Sequence, residues 1–260
     1  MRYRIVDVFS DRPLAGNALC VVVDPCPPEV MQAVAREVHL SETTFVTGRD
    51  DDGYQMRIFT PRDELPFAGH PSVGTAWTMG PGRWTQATSG ATVVIEVDDH
   101  GAVMSQPDPV FDELDHAPAV AALGLARGEG AWQGTAGGTT HLYVATDEPI
   151  DALRPDMNAV GRVAGGAGAT TMTVFRRLDD RSVHVRVFGP HTGIPEDPGT
   201  GSAAGPVGVL ARRHLGTGTD ITIRQGDEIG RPCRIEVHAV EGDITVGGRV
   251  TACAEGRFTL

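Results

Sequence analysis

The sequence predicts an α+β protein made of two similar, strand-rich halves, and three observations carry that expectation. The first is alternation of apolar and polar residues in YRIVDVF at 3 to 9, ALCVVV at 18 to 23, TTFV at 43 to 46, YQMRIF at 54 to 59 and TVVIEV at 92 to 97. It returns in HLYVAT at 141 to 146, TTMTVF at 170 to 175, VHVRVF at 183 to 188, ITIR at 221 to 224 and CRIEVHAV at 233 to 240. Such runs between turn residues read as strands. The second observation is the scarcity of helical periodicity. The third is a short internal repeat: MRIFTP at 56 to 61 matches VRVFGP at 185 to 190. Each copy is followed by acidic residues, a Gly turn and a small apolar stretch. By role, RDELPFAGHPSVGTAW stands opposite HTGIPEDPGTGSAAGPVGVLA. The letters alone leave open whether this is a true duplication.

Three helices are expected. Residues 28 to 38 follow Pro27-Pro28 and repeat Val30, Met31, Val34 and Val38 at helical spacing. A second helix runs from Pro71 to about Met79, entered through Gly69 and His70. A third covers AAGPVGVLA at 203 to 211, with Ser202 as N-cap and Pro206 restricting it to its first turns. It is apolar on every side, so sheet should wrap it. Residues 107 to 140, with Pro107, Pro109, Pro118 and GEGAWQGTAGG, read as a loose junction, and the division falls near 112, giving segments 1–112 and 113–260.

Composition limits the function. With 260 residues the chain buries a sizeable core. The formal charge of −12, from 22 basic against 34 acidic residues, argues against a nucleic-acid partner. No apolar run nears the roughly 18 residues of a membrane span, so no membrane partner is expected. Cys20, Cys26, Cys233 and Cys253 form no C-x-x-C pair, and the opening MRYR leads into a strand pattern. The expectation is a reduced, cytoplasmic protein.

Both Gly turns open onto helices, where unpaired N–H groups and the helix dipole attract anions. A −12 protein can hold an anionic ligand this way. Taken singly, each candidate also has a plainer part: His70 as a turn histidine against Trp77, Asp197 as an Asx turn, Glu42 as a surface acid. A dinucleotide fold is disfavoured, since Gly199, Gly201 and Gly205 are spaced G-x-G-x-x-x-G and IPEDP before them is not a strand pattern. Phosphate-loop and serine-hydrolase motifs are absent. No paired-ligand spacing supports a metal on Glu42, His70 and Asp197.

Five stretches in order, GNALCVVV, LSETTFV, FTPRDELPFAGHPSVGTAW, EDPGTGSAAGP and QGDEIGRP, resemble the phenazine-biosynthesis isomerase family, the PhzF-like proteins. The resemblance covers residues 3 to 97 and 183 to 260, while 105 to 180 match poorly. It implies the diaminopimelate epimerase-like fold, two pseudo-symmetric domains that each wrap a mixed sheet around a central helix, with the active site in the cleft between them. It places Glu42 as the catalytic carboxylate, His70 and Asp197 as its helpers, and Ser41, Gly69, Gly201 and Ser202 in contact with substrate. It implies no cofactor, a homodimer, and a proton shift on a small anionic cyclic amino acid such as trans-2,3-dihydro-3-hydroxyanthranilate, in phenazine or other antibiotic biosynthesis. Epimerases of this fold carry a cysteine at each Gly turn. FAGHP and EDPGTGS carry none, which disfavours the alternative of an amino-acid epimerase; a non-catalytic binding module is the other alternative.

Overall fold

A computed structural model describes residues 1–136, 138–190 and 194–259. The 191–193 part of the repeat alignment therefore lies outside the described residues. Sheet dominates. In the first half, β1 (Arg2–Val8) and β2 (Asn17–Val22) form a hairpin, and the chain crosses through α1 (Pro28–Val38) to β3 (Glu42–Arg49), parallel to β2. β3 pairs antiparallel with β4 (Gly53–Phe59), which is edged by β5 (Glu64–Leu65). A second crossover, α2 (Gly69–Met79), leads to β6 (Gly82–Ala87), parallel to β4. The antiparallel strands β7 (Thr92–Val97) and β8 (Gly101–Gln106) follow.

After β9 (Val110–Leu114) and α3 (Ala117–Leu123), the same order of pairings recurs. β10 (Gly130–Ala136) and β11 (Thr139–Ala145) form a hairpin, and α4 (Met157–Gly166) crosses to the parallel β12 (Thr171–Asp179). β12 pairs with β13 (Ser182–Gly189), edged by β14 (Ile194–Asp197), and α5 (Gly201–Leu210) crosses to the parallel β15 (Asp220–Gln225). Antiparallel β16 (Cys233–Val240) and β17 (Asp243–Arg257) complete the chain's strands.

Two long strand paths close the sheet. Residues Ile244–Arg249 of β17 pair with β8, and Val250–Arg257 pair with β1. This closes a ring of β1, β2, β3, β4, β6, β7, β8 and β17 around α2, which packs against seven of these strands. In the same way β8 pairs with β17 and the chain continues through Pro107–Pro109 into β9, which pairs with β10 on the side of α5. Hydrogen bonding thus joins every strand into one sheet, and residue 112 lies within β9.

Burial follows from the composition of each helix. All ten residues of α5 are buried, as are Gly69 to Ala76 of α2, so α5 has no face for water and α2 meets it only at its last turn. α1 is amphipathic and lies outside, where Met31, Val34 and Ala35 cover Phe45 and Phe59 of β3 and β4. α3 and α4 cover Met172, Val174 and Phe188 from outside.

Several expectations need correcting. IPED is a strand, β14, because its backbone pairs with the end of β13 although Pro and two acids hide the pattern. GAWQGTA is the buried strand β10, not a loop; Gly130 and Gly134 leave room for Trp132, Tyr143 and Phe111, which a Cβ would strike. α2 begins at Gly69, two residues earlier than expected. Ser202 is the second residue of α5, and position 200 before it makes no side-chain cap. Pro206 sits inside α5, not at its beginning. An internal proline leaves the carbonyl four residues back without its donor. That carbonyl belongs to Ser202, and Gln106 Nε2 at the end of β8 donates to it at 3.1 Å.

Candidate active site

The two buried helices meet at their N-termini. A Cβ on Gly69 would lie 2.5 Å from the Ser202 nitrogen and 2.6 Å from the Gly201 carbonyl carbon. A Cβ on Gly201 would meet the Gly69 carbonyl carbon and the His70 nitrogen at 3.0 Å. Glycine at both places lets the backbones touch, so two sets of first-turn N–H groups, each with partial positive charge, face one region. Two amides of the Gly-rich turn are already used. Gly199 N–H donates to the Asp197 carboxylate and Thr200 N–H to Gln225 Oε1 at 3.2 Å, so fewer bare amides remain than the letters suggest.

Around this junction the structure gathers all the expected residues. Parallel pairing of β2 with β3, in the register Leu19 to Glu42, places the strand starts side by side. Gly16, at φ +68°, turns the chain where a Cβ would strike the Val8 oxygen at 2.4 Å, and so delivers Asn17 to the start of β2. Ser41 Oγ donates to Asn17 Oδ1 at 2.8 Å. Asn17 Nδ2 donates to Asp197 Oδ1 at 2.9 Å and the Gly199 carbonyl at 3.0 Å, and it lies 3.2 Å from His70 Nδ1. Asp197 ends β14, and its other oxygen accepts from the Thr200 hydroxyl. Glu42 and His70 face each other with Oε2 and Nε2 3.3 Å apart, off the alignment of a full hydrogen bond.

These contacts fix protons. A carbonyl and a carboxylate accept only, so the nitrogen of the Asn17 amide must point at Gly199 and Asp197. The same nitrogen cannot accept from His70, so Nδ1 is bare and shares the two amide hydrogens with Gly199 and Asp197, and the proton of the neutral ring sits on Nε2, toward Glu42. Burial lowers the His70 pKa to about 3, so the ring stays neutral. Burial, and secondarily the Asp197 charge, pushes the Glu42 carboxyl up to about 8, against a smaller opposing effect of the Ser41 hydroxyl. Burial raises Asp197 as well, but Thr200, Asn17 and the Gly199 amide all donate to it. Of the two carboxyls, Asp197 keeps the charge and Glu42 holds the proton.

The QGDEIGRP stretch braces this arrangement from behind. Gln225 Nε2 donates to the Asp197 carbonyl at 2.7 Å and to Thr200 Oγ1 at 3.0 Å. Arg231 donates to the Gly16 carbonyl at 2.8 Å and to the buried Asp7 carboxylate at 2.6 Å, holding the turn that presents Asn17. Asn17, Thr200 and Gln225 were not singled out in the sequence, although each lies inside one of the five matched stretches. Cys233 packs behind the second turn, where a Cβ on Gly199 would meet its Sγ at 2.7 Å. It is fully buried, and burial holds its thiol well above the ordinary range.

With this geometry in view, comparison with known proteins gives the family. The model of the phenazine biosynthesis-like protein family, PhzC-PhzF, matches residues 6–256. The chain belongs to this family. A trans-2,3-dihydro-3-hydroxyanthranilate isomerase of Pseudomonas aeruginosa is 37% identical, over 100% of this chain and 99% of the relative. Among solved structures, a protein titled a predicted epimerase from Pseudomonas aeruginosa has 29% identity and a TM-score of 0.86, covering 100% of this chain and 99% of its own. A probable proline racemase of Agrobacterium radiobacter shares the fold at a TM-score of 0.66 and 13% identity, over 100% and 93% of the chains. The mixed, sheet-dominated fold is common to this chain and these two solved structures. Among the described residues no helix is long and apolar enough to cross a membrane.

Proposed function

We propose that the chain is a cofactor-independent isomerase that shifts a proton within a small anionic cyclic amino acid, of the trans-2,3-dihydro-3-hydroxyanthranilate type, in the biosynthesis of a phenazine or another antibiotic. One observation carries the mechanism: a buried carboxyl, Glu42, whose pKa stands near 8, faces the neutral His70 beside two helix N-termini. As carboxylate, Glu42 takes a proton from a ring carbon next to the conjugated system. The electron pair moves through the double bonds, and the same carboxyl, after exchanging its proton with water, protonates another ring carbon, so nothing is oxidised or reduced. A group that ionises near neutral pH serves both steps. The N–H groups of Gly69, His70, Gly201 and Ser202 balance the substrate carboxylate and the charge that develops on the ring. Asp197, held as an anion by three donors, is suited to accept from the substrate amino group.

We read the protein as two pseudo-symmetric domains, divided near residue 112, with the site in the cleft between them. The repeated order of strand pairings and the meeting of α2 with α5 support this division. The working form is read as a cytoplasmic homodimer. The epimerase alternative needs two opposed acid-base groups. No thiol stands at residues 69–70 or 199–202, and Cys233 is buried with a raised pKa. The test is incubation in heavy water with trans-2,3-dihydro-3-hydroxyanthranilate. Isomerised product carrying one deuterium is expected, and the absence of both conversion and label would overturn the reading.

A further inference from the structure

The second half of the chain repeats the geometry around Asn17 with different side chains. In the first half the starts of β2 and β3 supply Asn17, Ser41 and Glu42 to the second residue of α2, His70. In the second half, β11 and the start of β12 supply His141 and Thr171, directly paired in register, to the second residue of α5, Ser202. His141 Nδ1 lies 2.6 Å from Thr171 Oγ1, and its Nε2 lies 3.1 Å from Ser202 Oγ. His141 is 2% exposed, Ser202 7% and Thr171 8%, so this is a buried chain of three polar groups. Burial lowers the imidazole pKa to about 4, so one ring nitrogen carries a proton and the other accepts.

Direction follows from counting protons. Among the described residues, neither hydroxyl has a hydrogen-bond partner other than His141. If Ser202 donated to the ring and the ring to Thr171, the buried Thr171 proton, on the side of the ring away from Ser202, would be left with no acceptor among the described residues. Such an orphan is costly. If Thr171 donates to Nδ1, then Nε2–H donates to Ser202, and only the Ser202 proton remains, at the N-terminus of α5 where Gly69 and Gly201 meet.

We propose that His141 is a positioning residue which, with Thr171, makes the Ser202 hydroxyl an obligate donor to an anionic oxygen of the substrate. Resting on the function proposed above, this places the substrate carboxylate on the α5 side, and the proton-transferring groups Glu42 and His70 act from the α2 side. It also ties substrate selection to β11 and β12, within the region where the sequence resemblance is weakest.

The tautomer is testable without ligand. A two-bond proton–nitrogen correlation spectrum is expected to show His141 protonated at Nε2 and bare at Nδ1. An Nδ1–H tautomer or an imidazolium would overturn the proposal. The binding arm compares 2-aminobenzoate with the uncharged 2-aminobenzamide by titration calorimetry. Wild type should prefer the carboxylate, and H141F and T171V should bind it at least about tenfold more weakly with little change for the amide. H141Q, able to accept from Thr171 and donate to Ser202, should recover part of the loss. No carboxylate preference in wild type, or equal losses for both ligands in the variants, would overturn the proposal. In turnover, the variants should raise KM for trans-2,3-dihydro-3-hydroxyanthranilate more than they lower kcat. If wild type turns nothing over, the functional reading fails while the spectrum and the titrations still decide the role of His141.

Discussion

At the residue scale, one side chain holds the candidate site together. Asn17 is fully buried and links Ser41, His70, Asp197 and Gly199. Replacing Asn17 by Ala strands several buried polar groups, so chemical denaturation should show a loss of at least about 2 kcal/mol. Turnover should fall by about 100-fold, because His70 and Asp197 lose their common anchor. Unchanged turnover in a folded N17A protein would contradict this placement. The carboxyl pKa near 8 gives a second prediction at this scale. Its sign is that of a base held protonated: kcat/KM should rise about tenfold per pH unit below about pH 8 and level off above. A flat profile from pH 5 to 8 would show that Glu42 is not the base. These residues were only partly legible. Glu42, His70 and Asp197 are 155 positions apart at the extremes and were placed together by resemblance to a family, each having an ordinary reading by itself. Asn17 gave no signal, since an Asn after Gly reads as a turn.

At the element scale, the site depends on two helix starts that approach without side chains between them. Changing Gly69 to Ala drives a Cβ into the backbone of Gly201 and Ser202, which cannot yield as a side chain would. A loss of about 1–3 kcal/mol is expected, with a larger effect on turnover than on the fold. Gln106 has a different duty, satisfying the carbonyl that Pro206 leaves open. Q106L should destabilise the protein by about 1–3 kcal/mol, and Q106L/P206A should recover part of it as the helical bond re-forms. Thermal unfolding of the two variants checks this. Strand alternation and the all-apolar α5 were readable because burial on one face or all faces leaves a period in the letters. β14, β10 and the link from β8 to β9 were not. Their pairing is decided by distant strands, and Pro, Gly and acidic residues mask the period.

At the scale of the whole molecule, two rings of sheet share β8 and β17 and present α2 and α5 end to end. Mass measurement by light scattering should give twice the 27.5 kDa chain if the homodimer expectation holds, and a single chain mass would contradict it. Stability against pH follows from the buried groups. His70 and His141 have folded pKa values near 3 and 4, below the ordinary histidine value, so stability is lost as pH falls from about 6.5. Glu42 opposes this, since its raised pKa favours the folded state most at low pH and loses that advantage as pH rises toward 8. Removing its titration in E42Q should therefore steepen the acid loss between pH 5 and 6, by up to about 1.4 kcal/mol per pH unit. The central claim, that Glu42 carries the proton, is tested most directly by deuterium uptake. Wild type and E42Q are each incubated with trans-2,3-dihydro-3-hydroxyanthranilate in heavy water, and label is read by mass spectrometry. Glu42 as carrier predicts label in wild type and a loss of at least about 100-fold in a folded E42Q protein. Exchange by E42Q at the wild-type rate would contradict it.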